Sequence, residues 1–343
     1  MTPDSKRTAV LLVNVGTPDE PAVPAVRRYL YHFLNDPRVI DLPLIPRKLL
    51  VNLIIVPFRA PKSTKLYERL WTPEGSPLMV NAVKNRDRLQ EALGEDYDVF
   101  MAMRYENPSL KQSLEQIREK RYGKLIVFPV FPQYASSTTG TVGEFVFRKV
   151  GKWNVMPEIR MISQFYDHPL FIQAFAQRIR EYEPEKWDHL IFSYHGLPMR
   201  HIRKAHPQID TAACTCSQAL PPHGHFCYRA TCYETSRLLA GELELKPEDY
   251  TVSFQSRLDK DWLEPFTDAT LVKLAKAGRK RILVAAPAFV ADCLETTVEI
   301  GYEYQELFEK EGGEKVQLVE SLNDHPLWIE AMREIILGKV HGA

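Results

Sequence analysis

Eight short runs of mainly apolar residues limit what this chain can fold into more than any other feature. Segments whose apolar residues recur at helical spacing separate these runs, in both halves of the chain. Strands that are apolar on both faces need cover on both sides, which is typical of parallel sheets packed between helices. The predicted strands are 8–16, 97–105, 124–130, 158–164, 188–196, 250–256, 281–289 and 315–321. We therefore predict an α/β protein with two parallel four-stranded sheets.

The helical segments and the chain length set the predicted domain organisation. Helical spacing is found at 80–93, 110–121, 169–182, 228–243, 268–277, 292–311 and 326–337. A chain of 343 residues is long enough for two domains, each with its own apolar core. We place the first domain at 1–166 and the second at 167–323, followed by a C-terminal helical segment, 324–343, that packs back on the domains.

Charge and hydropathy argue against several classes of protein. Lys plus Arg and Asp plus Glu both number 44, so no overall field attracts nucleic acid. The N-terminal residues lack the apolar stretch of a secretory signal, and no uncharged apolar run approaches the ~18 residues of a spanning helix. We expect a cytoplasmic protein without a nucleic-acid partner, whose contact with a membrane is at most peripheral.

Ligands of open parallel sheets bind beyond the carboxyl ends of the strands, and five polar segments follow predicted strands here. They read NVGTPDEP, AMRYENP, FPQYASSTTGT, SYHGLP and APAFVADCLE, and we expect them to line one cleft between the domains. His195 lies in the fourth of them, at the end of its strand and directly before Gly196. A neutral imidazole there accepts a proton or binds a metal ion, although a loop histidine hydrogen-bonded to backbone fits the same pattern.

A row of acidic residues follows the seventh predicted strand at helical spacing: Asp292, Glu295, Glu299 and Glu303. A solvated helix face is one explanation, and a capping box formed by Asp292 and Glu295 is another. Like charges at this spacing repel, however, and no Lys or Arg lies among them before Lys310. We interpret the row as a path for cations or protons that leads to the strand-end site.

Segments spread in order across nearly the whole chain resemble the ferrochelatase family. They read LLVNVGTP, YERLWTPEGSPL, AMRYENPSL, FPVFPQYASSTTG, IFSYHGLPMRHI, VSFQSR followed by WLEPFTD, and PAFVADCLETTVEIGYEY. The resemblance implies two Rossmann-like domains with an active-site cleft between them. It also implies a lyase that inserts Fe2+ into protoporphyrin IX with release of two protons, the last step of haem biosynthesis.

The resemblance assigns roles residue by residue. His195 and Glu295 match the family's paired active-site positions, where contact with the substrate Fe2+ is expected. The expected porphyrin contacts are Arg59, Lys62 and Ser76 at the propionates, and Arg104, Tyr105, Tyr134 and Trp262 along the ring. We expect His195 to accept protons, and Glu295, Glu299 and Glu303 to relay charge to water. A cleft that fits a bent ring better than a flat one supplies the distortion that metal entry needs.

The segment 42–62, called the lip below, combines Leu and Ile residues with Arg47, Lys48, Arg59 and Lys62. An apolar surface with a cationic rim suits a porphyrin that carries carboxylates, and it also suits peripheral contact with a membrane. An ordinary buried helix with snorkelling basic residues is the alternative. The sequence leaves the oligomeric state open, with a homodimer as one candidate.

Two positions differ from parts of the family. Relatives that act on coproporphyrin carry Tyr where this chain has Val15, so the protoporphyrin substrate is favoured. Some relatives carry His where this chain has Cys293, which argues against a histidine metal relay at that position. Cys293 is then either a soft ligand or a buried free thiol.

Four of the five cysteines fall within 19 residues: Cys214, Cys216, Cys227 and Cys232. Disulfides are not expected in the cytosol, whereas four thiolates suit either zinc or a 2Fe-2S cluster. The resemblance favours the cluster, because ferrochelatases often carry one; in many its ligands lie near the C-terminus, where this chain has no cysteine. One alternative is Zn2+ bound by the cysteines or by a mixed set that includes His223 or His225, and another is no metal at all. Cys232 falls in a predicted helix start, where a cysteine can also serve packing alone. We expect this loop to lie far from His195 and to serve stability or regulation.

Two other functions compete with iron insertion. A cobalt chelatase for a sirohydrochlorin-like ring needs more cations around its substrate than Arg59, Lys62 and Arg104 provide. A non-catalytic tetrapyrrole-binding protein or iron-sulfur sensor has no need of an acidic row opposite a histidine. The acidic row therefore favours an enzyme.

Overall fold

The computed structural model describes residues 7–206 and 208–338, which form two parallel four-stranded sheets between helices. The first sheet has the strand order β2-β1-β3-β4 and the second the order β6-β5-β7-β8. The strands are β1 Thr8–Asn14, β2 Tyr97–Met103, β3 Lys124–Pro129, β4 Glu158–Met161, β5 His189–His195, β6 Tyr250–Gln255, β7 Arg281–Ala285 and β8 Lys315–Leu318. The predicted fold class is confirmed.

Every predicted strand is present, and every one ends earlier than predicted. The largest difference is in β7, which stops at Ala285 although the apolar run continues to Phe289. Ala286 and Val290 are buried all the same, in a turn that follows the strand. Apolar residues beyond a strand end are buried by packing and not by sheet pairing, and the two cannot be told apart in the sequence.

The helices include several that the sequence analysis did not predict, mainly in the first half of the chain. The α-helices are α1 Val23–Leu34, α2 Leu44–Leu49, α3 Val56–Leu70, α4 Pro77–Leu93, α5 Leu110–Lys120, α6 Thr141–Val150, α7 Pro169–Arg180, α8 Met199–Ala205, α9 Tyr228–Glu242, α10 Thr267–Lys276, α11 Gln305–Lys310 and α12 Pro326–Leu337. Of the described helices, none is both long and apolar enough to cross a bilayer.

Three segments are π-helices: Leu50–Ile55, Ser136–Gly140 and Leu294–Tyr304. The third replaces the first half of the single helix predicted at 292–311, and α11 forms the rest. A π-helix bonds to the fifth residue back, and such helices are frequent at functional sites. The spacing of apolar residues predicts a helix here but does not distinguish a π-helix from an α-helix.

The described residues divide into two compact units. The first consists of 7–131, 135–164 and 332–338, and the second of 132–134, 165–206 and 208–331. Helix α12 therefore begins in the second unit and ends in the first. The domain boundary placed after residue 166 lies close to this division and stays a prediction about folding domains. Residues 339–343 of the predicted C-terminal segment lie outside the described residues.

Each unit has its own core beneath its sheet. In the first, α5 and α6 cover β1 and β3, and α5 begins with a capping box between Ser109 and Gln112. In the second, side chains of β5 and β7 pack against α10, the long π-helix and α11. The π-helix contributes Ile300 and Tyr304 to this core. These two side chains fix the π-helix at the sheet.

Candidate active site

His195 is the last residue of β5, where the strand leaves the core and the imidazole becomes half-buried. Its Nδ1 lies 2.6 Å from the carbonyl oxygen of Gly196. A carbonyl oxygen only accepts, so Nδ1 carries the proton of the neutral ring and Nε2 keeps its lone pair. The loop-histidine explanation is thus correct for one ring nitrogen, and the other remains available as a proton acceptor or metal ligand.

The backbone at His195 is held from two sides. The Tyr228 hydroxyl donates to the His195 carbonyl at 2.9 Å, and the Gly196 amide donates to the Gln255 carbonyl at 2.8 Å. A Cβ on Gly196 would stand 2.8 Å from that same carbonyl oxygen and 3.3 Å from the Trp262 ring. Gly196 is therefore required for close approach. Trp262, a predicted ring contact, is buried at this turn beside His195.

The acidic row begins differently from the prediction. The N-cap of the π-helix is Cys293, whose thiol accepts the Thr296 amide while the Thr296 hydroxyl accepts the Cys293 amide. The Asp292 carboxylate accepts from the Asn323 side-chain amide at 2.7 Å, the Ser321 amide at 3.1 Å and the Thr296 hydroxyl at 3.4 Å, and it makes no bond with Glu295 among the contacts described. The capping box of Asp292 with Glu295 is therefore wrong, and Asp292 belongs to a turn outside the row.

Glu299 is the most strongly held member of the row. Its carboxylate accepts from the Ser256 amide at 2.8 Å, the Ser256 hydroxyl at 2.5 Å, the Tyr304 hydroxyl at 2.7 Å and the Gln255 side-chain amide at 3.3 Å. Burial, and then the Glu299 charge, raise the pKa of Tyr304, so its phenol stays protonated and donates. Ser256 adopts a left-handed φ of 62°, a conformation that surrounding structure must hold in place.

Glu295 and Glu303 lie on either side of Glu299 along the π-helix. Glu295 is half-buried at the helix start and Glu303 is exposed at its outer end, so the row runs from the strand ends toward solvent. Burial, and then the Glu295 charge, raise the pKa of the Cys293 thiol, which therefore stays neutral. This supports the buried-thiol interpretation of Cys293.

His195 and Glu295 lie in the same unit, at the carboxyl end of the same sheet. The strands β5 and β7, which precede them, are direct neighbours in the second sheet. Gln255 links the two, because it is the β6 partner of His195 and its side-chain amide donates to the Glu295 carbonyl at 2.8 Å. The expectation that five strand-end segments line one cleft between the domains stays a prediction.

In the first unit, Arg104 and Tyr105 follow β2 and share one acceptor. The Arg104 guanidinium and the Tyr105 hydroxyl donate to the same oxygen of Asp36, at 2.8 and 3.0 Å. Burial, and then Asp36, raise the pKa of Tyr105. The guanidinium also lies over the rings of Tyr105 and Phe145. Both predicted ring contacts are thus fixed by Asp36. A single Asp before a proline carries no signal in the sequence, so this residue was not predicted.

Arg59 and Lys62 are exposed on α3 three residues apart, so both project from one face of the helix. Ser76 is buried, and its hydroxyl lies 3.0 Å from that of Thr17 in the NVGTPDEP segment. The strand-end segment NVGTPDEP is therefore in contact with the N-cap residue of α4. Tyr134 is half-buried, with its ring 5.8 Å from the Phe226 ring.

The lip exposes a continuous series of large apolar side chains. Ile45 and Phe58 are both 71% exposed. Others in the series are Leu42, Leu44, Leu49, Leu53 and Ile54. The alternative of an ordinary buried helix is therefore wrong. Arg47 is the exception to the cationic rim, because its side chain is buried and donates to the Leu42 carbonyl.

The four clustered cysteines are reduced and lie near one another in the second unit. Cys216, Cys227 and Cys232 are buried; Arg229 Nε donates to the Cys216 sulfur at 3.1 Å, and the Cys214 sulfur lies 3.6 Å from His223 Nε2. Partial burial opposes ionisation of Cys214, but hydrogen bonds, first with His223, outweigh it and lower its pKa to about 7. Within 7–206 and 208–338 no three His, Cys, Asp or Glu side chains are arranged to hold a metal ion. The donor chemistry fits a thiolate-bound metal, whereas the ligand geometry is not preformed.

This loop is not far from His195, contrary to the prediction. Tyr228 follows Cys227 directly, at the start of α9, and is the residue whose hydroxyl donates to the His195 carbonyl. Cys227 is the N-cap of α9 and Tyr228 is its first residue, so the helix start carries both a cysteine and a contact to the candidate site. The cysteine loop is thus tied to the strand end through one side chain.

Two parallel four-stranded sheets with polar groups at their carboxyl ends define an α/β protein, and comparison with solved structures shows that its fold is chelatase-like. Two solved structures share this fold with the chain at low sequence identity. SirB from Bacillus subtilis with Fe3+ is 11% identical with a TM-score of 0.55, over 96% of this chain and 94% of that one. The sirohydrochlorin chelatase SirB from Bacillus subtilis subspecies spizizenii, in complex with cobalt, is 10% identical with a TM-score of 0.51, over 95% and 92%.

Sequence comparison gives the family. The ferrochelatase family model matches residues 7–340. The ferrochelatase of Coxiella burnetii (strain Dugway 5J108-111) is 44% identical over 340 residues, which cover 97% of this chain and 94% of that protein. The ferrochelatase of Legionella pneumophila (strain Lens) is 44% identical over 334 residues, covering 96% and 98%. The chain belongs to the ferrochelatase family, whose enzymes insert iron into protoporphyrin in haem biosynthesis. The resemblance is confirmed, and neither the cobalt chelatase nor the non-catalytic binding protein is favoured.

Proposed function

We propose that this chain inserts Fe2+ into protoporphyrin IX with His195 as the proton acceptor. Insertion replaces two pyrrole N–H bonds with bonds to iron, so two protons must leave the ring. The observation that carries the proposal is the 2.6 Å contact of His195 Nδ1 with the Gly196 carbonyl, which leaves Nε2 as an acceptor. Its position at a strand end, half-buried, supports the same role.

Glu295, Glu299 and Glu303 are proposed to carry charge between the reaction centre and water. Glu295 is nearest the strand ends, and contact with the incoming Fe2+ is assigned to it together with His195. The four donors on Glu299 support a role as a fixed negative charge in the middle of the row. Glu303, exposed at the outer end, is where the row meets solvent. A row whose two inner members are half-buried and whose outer member is exposed suits transfer of protons or cations.

The porphyrin contacts proposed in the first unit divide into two kinds. Arg59 and Lys62 are exposed on one helix face, which suits them to the two propionates. Ser76 is proposed at the propionates as well, with its hydroxyl held by Thr17. Arg104 and Tyr105 both donate to Asp36, which supports a role as a rigid wall along the ring. In the second unit Trp262 and Tyr134 are proposed to contact the ring through their aromatic faces.

The exposed lip supports peripheral attachment of a cytoplasmic protein to a membrane. Apolar side chains that are more than half exposed, with Lys48, Arg59 and Lys62 beside them, match what binds at a lipid interface. The apolar substrate partitions to the same interface. Assembly into a homodimer stays a prediction.

The four clustered cysteines are proposed to hold a 2Fe-2S cluster. The closeness of the four thiols, the lowered pKa of Cys214 and the Arg229 hydrogen bond to Cys216 support a site for sulfur ligands. Burial raises the pKa of Cys216, Cys227 and Cys232, so these three thiols ionise only when a metal binds them. The contact of Cys214 with His223 supports the zinc alternative. Metal analysis of protein purified without oxygen separates them, with about two irons per chain for the cluster and about one zinc for the alternative. Loss of the iron signal in Cys216→Ser is expected for the cluster.

The function is tested by anaerobic mixing of the protein with Fe2+ and protoporphyrin IX, followed by visible absorption. Free porphyrin should decay and haem should form. His195→Ala should lower kcat by roughly 100-fold or more, because general acid–base catalysis contributes 10²–10⁴-fold. The matched control is His32→Ala, at an exposed histidine in the first unit that bonds to Glu106. Equal rates in the two variants would refute the role of His195.

A further inference from the structure

We propose that Gln255 is a positioning residue for the insertion reaction. Its side chain fixes the acidic π-helix against the strand that carries His195. The inference rests on the proposed roles of His195, Glu295 and Glu299, and adds the residue that sets their relative position. No charged or nucleophilic chemistry is assigned to Gln255 itself.

The backbone of Gln255 is tied to His195. Residue 255 ends β6 as the partner of residue 195 at the end of β5. Its carbonyl accepts the Gly196 amide at 2.8 Å, which continues the ladder one residue past the strand. Any shift of β6 at this point therefore moves the His195 turn as well.

The side chain of Gln255 reaches the other half of the site. It is 1% exposed, and its Oε1 accepts from the Ser193 hydroxyl at 2.7 Å. Its Nε2 donates to the Glu295 carbonyl at 2.8 Å and to a Glu299 carboxylate oxygen at 3.3 Å. Both partners of Nε2 only accept, so the amide has one orientation that satisfies every contact. A primary amide has one oxygen that accepts and one NH2 group that donates twice, which matches the one donor and two acceptors around Gln255.

A buried chain of hydrogen-bonded hydroxyl groups leads to the Gln255 side-chain amide and orients it. Because Gln255 Oε1 can only accept, Ser193 donates to it and accepts from Thr267 at 2.9 Å, and Thr267 accepts from Ser253 at 2.8 Å. The three hydroxyl residues are fully buried. Hydrogen bonds that all point one way strengthen one another, and this chain points toward Glu299. The amide is thus held by the interior of the unit.

Loss of the amide should affect the reaction more than substrate binding. Without it the Glu295 carbonyl loses its donor, and the helix start is free to shift relative to His195. Outer-shell partners of this kind typically contribute about 10–100-fold, and a displacement of about 1 Å can cost on the order of 100-fold. The proposed propionate contacts Arg59 and Lys62 lie in the first unit and are unchanged, so the KM for porphyrin should stay nearly constant.

The test is steady-state kinetics of iron insertion with melting curves for each variant. Gln255→Met keeps the length and apolar volume of the side chain and removes its hydrogen bonds. We expect kcat to fall about 10–100-fold, with the KM for porphyrin within about twofold of the parent. Ser193→Ala removes only the group that orients the amide and should give a smaller fall in kcat.

The matched control is Ser253→Ala, which cuts the hydroxyl chain at its far end and leaves every contact of Gln255 in place. It should lower the melting temperature and leave kcat within about twofold. A folded Gln255→Met with the parent kcat, or an equal fall in kcat in Ser253→Ala, overturns the inference. If Gln255→Met does not fold, Ser193→Ala decides, and a parent-like kcat in that variant overturns it. Absence of turnover in the parent refutes the proposed roles, and this inference with them.

Discussion

Replacing Glu299 by Gln tests whether the centre of the acidic row is a fixed charge. The carboxylate accepts from four donors, two at each oxygen: the Ser256 amide and Tyr304 on one, the Ser256 hydroxyl and the Gln255 amide on the other. A glutamine has only one oxygen, so its NH2 group must face one of the two pairs. Facing the first pair, it meets the Ser256 N–H, which cannot turn to accept.

The second orientation of the new amide is therefore less costly, but not neutral. There the Ser256 hydroxyl rotates to accept, and the Gln255 Nε2 is left facing another NH2 group in place of an acceptor 3.3 Å away. Hydrogen bonds to charged groups contribute about 1.5–3 kcal/mol, which is the expected loss in free energy of unfolding. For a unit of this size that lowers the melting temperature by roughly 3–12 °C.

Thermal unfolding followed by circular dichroism measures this loss, with Glu303→Gln as the matched control. Glu303 stands one turn further along the same helix and is exposed, so its substitution should change stability by less than about 0.5 kcal/mol. The fall in kcat should likewise be larger for Glu299→Gln. Equal melting temperatures in the two variants would show that the four donors do not hold Glu299 as described.

Three further predictions concern residues around the two sites. Tyr228→Phe keeps the buried ring but removes the hydroxyl that donates to the His195 carbonyl, so kcat for iron insertion should fall several-fold. An unchanged kcat would show that this hydrogen bond does not position His195. Asp36→Asn leaves the largely buried Arg104 without its counter-charge and should cost about 3–5 kcal/mol in urea unfolding, which a loss below about 1 kcal/mol would contradict. Burial lowers the pKa of His189, so the folded protein favours the neutral imidazole. This stabilises the fold fully above the unfolded-state pKa of about 6.5, and the stabilisation is lost as the pH falls below that value. His189→Asn should therefore flatten the decline in stability between pH 7 and 5, and a decline as steep as the parent's would contradict this.

The sequence predicts the architecture because buried segments can be recognised from the apolar pattern of a few neighbouring residues. Runs such as the one that forms β1 are apolar at every position, since helices cover both faces of a parallel sheet, and the apolar spacing of α5 marks its inner face. Strand order within the unit then brings His195 and the acidic row to one sheet end, as the rule for open parallel sheets predicts. The apolar runs and the helical spacing depend on residues close together in the chain, and the general rule for parallel sheets supplies the rest.

The sequence was a poor guide wherever a contact joins distant residues. Glu299 and Ser256 are 43 positions apart, and Gln255 and Ser193 are 62 apart. A pattern of charges could predict that Glu299 belongs to a row, but it could not show that four donors hold it. The same reason explains the wrong cap at Asp292 and the unexpected closeness of the cysteine loop to His195.

Sequence alone therefore determined the α/β class, the eight strands, the family and the segments that carry the chemistry. Tertiary structure decided which nitrogen of His195 is free, which carboxylate is held and which amide holds it. Apolar burial is encoded by composition over a few residues, whereas hydrogen-bond partners are chosen by sheet register and helix position, which exist only in the folded chain.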